Sequence, residues 1–226
     1  MNALVKLFLC ALALNACSAA PVKPGSPLRN VRDFAPEIRL DMRYAGTNNF
    51  TGRVVEGYQA PHCLLHEPVA RALARVEQGL HVQGYALIVF DCYRPTLAVQ
   101  AFMAWARDLQ DQSSKARFYP ALDKSVLVPD YIAEKSGHSK GATVDLGLLD
   151  CRQSPCATLD MGTEFDYFDP RANTDYPGIT PTQKQNRQKL LQAMAEQGFE
   201  NYPMEWWHFT WKAGVLPEAA MSFPIQ

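Results

Sequence analysis

The chain has 226 residues, with 22 Lys and Arg against 23 Asp and Glu, a formal charge of −1. With no basic run along it, nucleic acid as a partner is excluded, because the phosphate backbone is bound first through clustered positive charge. No internal repeat occurs, and the only biased stretch is 21–27, so the composition predicts one domain with one core.

Residues 1–20 read as an export signal. Met1 to Lys6 carries one Lys and the free amine, 7–14 is an unbroken apolar run, and small residues follow through Ala20. The run is too short to span a bilayer as a helix. Leu14-Asn15-Ala16-Cys17 resembles a lipobox, which would remove residues 1–16 and acylate Cys17, giving a lipid anchor to the membrane. Ser18-Ala19-Ala20 offers the alternative of ordinary cleavage after residue 20. Either route implies export, to the periplasm or to a lipid-anchored place in the cell envelope. Loss of 1–16 removes only Lys6, so the mature charge is −1 − 1 = −2. Residues 17–30, with Pro21, Pro24 and Pro27, are expected to be a linker, and 31–226 the folded domain.

Pro68 stands where a first helical turn begins, and Val69, Leu73, Val76 and Leu80 recur at helical spacing. Gly79 and Gly84 bracket that helix's end. Tyr85 to Phe90 is a short apolar run between Gly84 and Asp91, which predicts a buried strand. After Pro95, Thr96 to Trp105 is expected to be helical. Thr180 and Pro181 open a further helix as N-cap and first residue, and Gly198 closes it. Trp206 to Trp211 reads as an aromatic core strand. Strands and helices do not alternate as in a doubly wound sheet, so the fold class is α+β, a mostly antiparallel sheet with flanking helices.

Cys63, Cys92, Cys151 and Cys156 remain after the signal, an even number for an oxidising compartment. Four thiols allow three pairings. The polar stretch from Cys151 to Cys156 suits a local staple, of about 2 kcal/mol in the chain-entropy description.

Three segments carry chemistry. In Ser136-Gly137-His138-Ser139-Lys140-Gly141-Ala142-Thr143-Val144-Asp145, a turn bearing His138 runs into a strand bearing Asp145, and both are good metal ligands. In Tyr202-Pro203-Met204-Glu205-Trp206-Trp207-His208, a carboxylate beside Trp residues needs a partner or a task. Strand alternation would put Glu205 and His208 on opposite faces, so a shared site requires a bend or bulge near Glu205. In Asp91-Cys92-Tyr93-Arg94-Pro95, Arg94 ends a strand, and by itself reads as an ion-pair residue on the rim or as an oxyanion clamp, with the rim favoured. His62-Cys63-x-x-His66 has ligand-type residues but no second half, so no structural zinc is expected there.

Together these segments resemble the zinc D-Ala-D-Ala dipeptidases linked to vancomycin resistance, which are related to the zinc D-Ala-D-Ala carboxypeptidases. Arg43-Tyr44-Ala45, Asn49-Phe50-Thr51-Gly52, Met161 to Asp166 and Gln185-Asn186-Arg187 extend the likeness over roughly 38 to 224. The resemblance implies one zinc per chain, held by His138, Asp145 and His208, with an open fourth position. It implies Glu205 as general base and acid, Arg94 as oxyanion stabiliser, and Tyr44, Ser136 and Asp166 as substrate-binding residues. Asp166 would take the free ammonium of D-Ala-D-Ala, although an Asp in so turn-rich a segment is usually a solvated loop acid. Cys92 stands where the family commonly has Gly, and Cys63, Cys151 and Cys156 look like additions. The alternatives are a carboxypeptidase trimming wall peptides, and a wall-peptide binder that keeps zinc without catalysis.

Overall fold

The computed structural model describes residues 26–226. The signal 1–16, Cys17 with its lipid anchor, cleavage after residue 20 and the first part of the linker lie outside the described residues. The end of the expected linker is a strand. β1 (Leu28–Asn30) pairs antiparallel with β3 (Leu64–His66), and Leu28 is fully buried.

The main sheet consists of β2 (Arg39–Leu40), β4 (Tyr85–Asp91), β5 (Thr143–Asp150), β8 (His208–Trp211) and β7 (Phe199–Asn201), in that spatial order. β6 (Ala157–Thr158) pairs with the far end of β5. All these pairings are antiparallel except β2 with β4, which is parallel. Thr143 to Leu149 of β5 are buried, as befits the central strand of an apolar sheet. The aromatic strand begins at His208, not at Trp206. Trp206 and Trp207 lie in the turn before it, because Glu205 N–H bonds back to Tyr202 O at 3.0 Å and His208 N–H to Glu205 O at 3.3 Å.

α1 (Glu67–His81) carries Pro68 in its first turn and buries Val69, Ala70, Ala72, Leu73, Val76 and Leu80. Each full burial of a Val or Leu side chain contributes about 1.5–3 kcal/mol. α2 (Thr96–Arg107) buries Phe102 and Trp105, and α3 (Lys115–Phe118) is one short turn. α4 (Pro181–Ala195) starts with a full capping box between Thr180 and Gln183. Its attachment is unusual, since besides Leu190 and Met194 its buried face carries Arg187. The Arg187 guanidinium donates to the carbonyls of Met161, Arg171, Asn173 and Thr174, so it fixes the loops on either side of Asp166 by neutral acceptors alone. Burial without a carboxylate partner lowers its pKa to about 10.

Among the described residues two disulfides form, Cys63–Cys92 and Cys151–Cys156. The second closes the turn between β5 and β6. The first removes Cys63 from any metal site. Among the described residues no helix is long and apolar enough to cross a membrane.

Candidate metal centre

Cross-strand register brings the site together. Asp145 on β5 is the direct partner of His208 on β8 and of Asp91 on β4. His138 comes from the 3-10 turn Gly137–Lys140, whose N-cap Ser136 accepts the His138 N–H at 3.2 Å. That turn ends at Gly141, which has φ +72°, and a Cβ there would lie 2.6 Å from Leu28 Cδ2. A side chain at this position would be both strained and crowded, which is why the turn can swing His138 back over β5.

Three atoms converge. His138 Nε2 lies 3.2 Å from Asp145 Oδ1, His208 Nδ1 lies 3.0 Å from the same oxygen, and the two nitrogens are 3.3 Å apart. His138 Nδ1–H donates to Cys92 O at 2.7 Å, which leaves Nε2 with a bare lone pair. Nε2 therefore cannot donate to its neighbours, and Asp145 Oδ1 is buried without a hydrogen-bond partner. With His208 Nδ1 deprotonated, as metal ligation requires, three lone pairs face one another, an arrangement that a cation between them stabilises. Tetrahedral ligands about 2.0–2.1 Å from zinc lie about 3.3 Å from one another, so the spacing fits zinc. Among the described residues, His138, Asp145 and His208 are the group of His, Cys, Asp and Glu side chains with this capacity.

The charges follow from burial and neighbours. Burial opposes ionisation of Asp145, but His138 and His208 outweigh it and hold its carboxyl far below the usual range. Burial also disfavours the charged form of His208, yet Asp145 and Glu205 raise its pKa overall. Glu205 Oε2 stands 3.3 Å from His208 Nδ1, and burial pushes its carboxyl up to about 7. The expected bend is a turn at 202–205, pinned by Asn201 Nδ2, which donates to Glu205 O and His208 O at 3.0 Å each.

Arg94 is not on the rim. Its side chain is 14% exposed, its Nε donates to Asp91 Oδ2 at 3.0 Å, and its guanidinium lies 3.6 Å from Asp145 Oδ2. Asp166 is not a solvated loop acid. It is 6% exposed, sits at φ +60°, and accepts from Tyr44 Oη at 2.8 and 3.1 Å. A non-glycine residue held in that region is strained, a condition that concentrates at functional sites. Burial, with Asp145 nearby, raises its pKa well above the usual range. Tyr44, Arg94, Ser136, His138, Asp145, Asp166, Glu205 and His208 line one cavity of about 340 Å³. A groove of about 710 Å³ between α1 and α4 is larger but holds no histidine or cysteine.

One participant escaped the sequence reading. Asp91 is wholly buried, and binds Arg94 and accepts from Tyr58 Oη at 2.7 Å. Its position beside the Tyr93-Arg94-Pro95 motif was the available signal. Ser139, adjacent to His138, could suggest a Ser/His pair, but adjacent residues seldom bring their reactive atoms together, and its Oγ–H donates to Arg94 O at 2.8 Å.

A cation-shaped trio beside a carboxylate with a raised pKa and an arginine aimed inward defines a metal-dependent hydrolase. The D-ala-D-ala dipeptidase family profile matches residues 26–226. Relatives named D-alanyl-D-alanine dipeptidase include one from Enterococcus faecium, 35% identical over 84% of this chain and 93% of the relative. Another, from Streptomyces coelicolor, is 36% identical over 86% and 96%, and one from Escherichia coli is 32% identical over 84% of each. The chain belongs to this family and is a metallopeptidase.

Proposed function

We propose that the protein hydrolyses free D-Ala-D-Ala with one zinc per chain, held by His138, Asp145 and His208. The observation that carries this reading is the convergence of three ligand-type atoms at 3.0–3.3 Å, beside Glu205. Zinc, when bound, supplies Lewis acidity toward the scissile carbonyl and makes water a nucleophile at neutral pH.

The chain's own groups do the rest. Glu205 takes a proton from the attacking water on its carboxylate and delivers one to the leaving nitrogen. The Arg94 guanidinium, pre-set by Asp91, donates to the oxyanion as negative charge develops. Asp166 receives the substrate's ammonium, with Tyr44 fixing the carboxylate. Ser136 accepts the His138 N–H and keeps its own hydroxyl proton for the substrate.

We extend the proposal to place. The export signal in residues 1–20 and two disulfides both fit the oxidising envelope, soluble or anchored through Cys17.

The test is the purified protein on D-Ala-D-Ala, before and after chelation and after zinc is restored. Activity lost with chelator and regained with zinc is the expected result. Unchanged activity after complete zinc removal would overturn the metal mechanism, and cleavage of wall pentapeptides as fast as the dipeptide would favour a carboxypeptidase.

A further inference from the structure

The Cys92 carbonyl accepts the Nδ1–H of His138 at 2.7 Å, so the backbone at Cys92 decides which imidazole nitrogen is free. Two further bonds join the same short segments. Arg94 N–H donates to His138 O at 3.3 Å, and Ser139 Oγ–H to Arg94 O at 2.8 Å. Residues 92–94 thus hold His138 and its neighbour through three hydrogen bonds.

The sheet does not hold residues 92–94. β4 breaks register with β5 between Val89 and Asp91 and ends at Asp91. Beyond that point the chain is fastened sideways to β3. Tyr93 N–H donates to Leu64 O at 3.0 Å, and the disulfide joins Cys92 to Cys63, 29 residues earlier. Both sulfurs are fully buried. β3 reaches the other side of the turn as well, since His66 N–H donates to Gly141 O at 3.0 Å. β3 is therefore a common footing for the Cys92 carbonyl and for the turn that carries His138.

We propose that the Cys63–Cys92 disulfide is a positioning element of the metal centre, keeping the Cys92 carbonyl on His138 Nδ1 so that Nε2 stays free for the ion. This rests on the reading of His138 as a zinc ligand. Without the bridge, one backbone hydrogen bond fastens residues 92–94 to β3, and the carbonyl can withdraw. An imidazole released from it shares its proton between Nδ1 and Nε2, and the Nε2–H form cannot ligate. The Cys151–Cys156 bridge closes a hairpin turn away from the site and serves as an internal control.

The experiment compares the full chain with Cys63→Ala/Cys92→Ala and with Cys151→Ala/Cys156→Ala, checking each for a cooperative thermal transition. Cys63→Ser, which opens the same bridge at nearly constant volume, covers the case in which the first double variant does not fold. In metal-free protein, proton–nitrogen NMR of the His138 ring reads the tautomer. Zinc affinity is read by competition with a chelator. Opening Cys63–Cys92 should depopulate the Nδ1–H form and raise the zinc dissociation constant about tenfold, the lower end for loss of an outer-shell partner. The control should change neither. A variant without the bridge that keeps the Nδ1–H tautomer and binds zinc within about twofold of the parent overturns the proposal. A parent chain that binds no zinc overturns the metal reading, and the NMR readout still decides the positioning claim.

Discussion

Acylating the substrate's amino group tests the role of Asp166. Asp166 is 6% exposed, and among the described residues Tyr44 is the hydrogen-bond donor to its carboxylate. A free dipeptide brings an ammonium to it. N-acetyl-D-Ala-D-Ala brings a neutral amide, so Asp166 must either stay charged without a partner or take up a proton, as its raised pKa favours, and the full cost of an unpaired charge is the upper limit of the penalty. Leaving one partner of a buried ion pair alone costs about 3–5 kcal/mol, or about two to nearly four orders of magnitude in kcat/KM at about 1.4 kcal/mol per tenfold. Asp166→Asn removes the charge while keeping an acceptor for Tyr44, and Asn tolerates the left-handed backbone at φ +60°. The preference for the free dipeptide should then shrink to about tenfold, as the residual steric cost of the acetyl group. The same substitution should raise the melting temperature of the metal-free protein, by about 2–4 °C for each kcal/mol of buried charge removed. Release of D-Ala, followed with a D-amino acid oxidase, gives kcat/KM for both substrates. Cleavage of the acetylated dipeptide by the parent within tenfold of the free one, or an unchanged ratio in Asp166→Asn, would refute the reasoning.

His138→Ala or His208→Ala should abolish both zinc binding and turnover, and stoichiometric zinc in the double variant would remove the assigned site. Glu205→Gln should keep zinc while turnover falls by about two to four orders of magnitude, read by metal content and kcat together. Arg94→Lys retains a charge partner for the buried Asp91 but loses the planar fork, so kcat should fall more than KM rises; a KM effect alone would make Arg94 a ground-state anchor. Glu205, Asp166 and His208 all bind protons more tightly folded than unfolded, so each favours the fold at acid pH and ceases to as pH rises. For Glu205 the window runs from about 4.3 unfolded to about 7 folded. The melting temperature of the metal-free chain should therefore drop from pH 5 to 8, while zinc, which binds the deprotonated ligands, should flatten or reverse that slope.

What the sequence made legible was local. Pro68, Thr180 with Pro181, and Gly198 act on their own turns, and α1 and α4 begin and end where these residues direct. Ser136, His138, Asp145, Glu205, His208 and Arg94 cluster in three short motifs, while Tyr44 and Asp166 could be named only through the family resemblance; the structure gathers all of them around one cavity. Long-range relations were illegible. The pairing of Cys63 with Cys92 depends on β3 lying beside the end of β4, and no spacing encodes that. Strands as short as β2 and β6, two residues each, leave no periodicity to read. Asp166 resembles a surface acid until Arg187, on a helix with a largely polar face, is seen to draw its flanking loops inward. The start of the last strand was misjudged because Trp206 and Trp207 are as apolar as strand residues, while hydrogen bonds to Tyr202 and Asn201 hold that stretch as a turn.

Three of the chain's four tryptophans fall within the six residues from Trp206 to Trp211, two of them between Glu205 and His208. Trp206 and Trp207 are buried, with rings perpendicular at 5.3 Å between centroids. The protein's ultraviolet emission is thus concentrated beside the proposed ion. Zinc, with a filled d shell, leaves such emission largely intact. Copper or cobalt in its place accepts the excitation and darkens it. The protein carries its own lamp at the site, and exchange of one metal for another can be followed in real time without substrate, label or added dye.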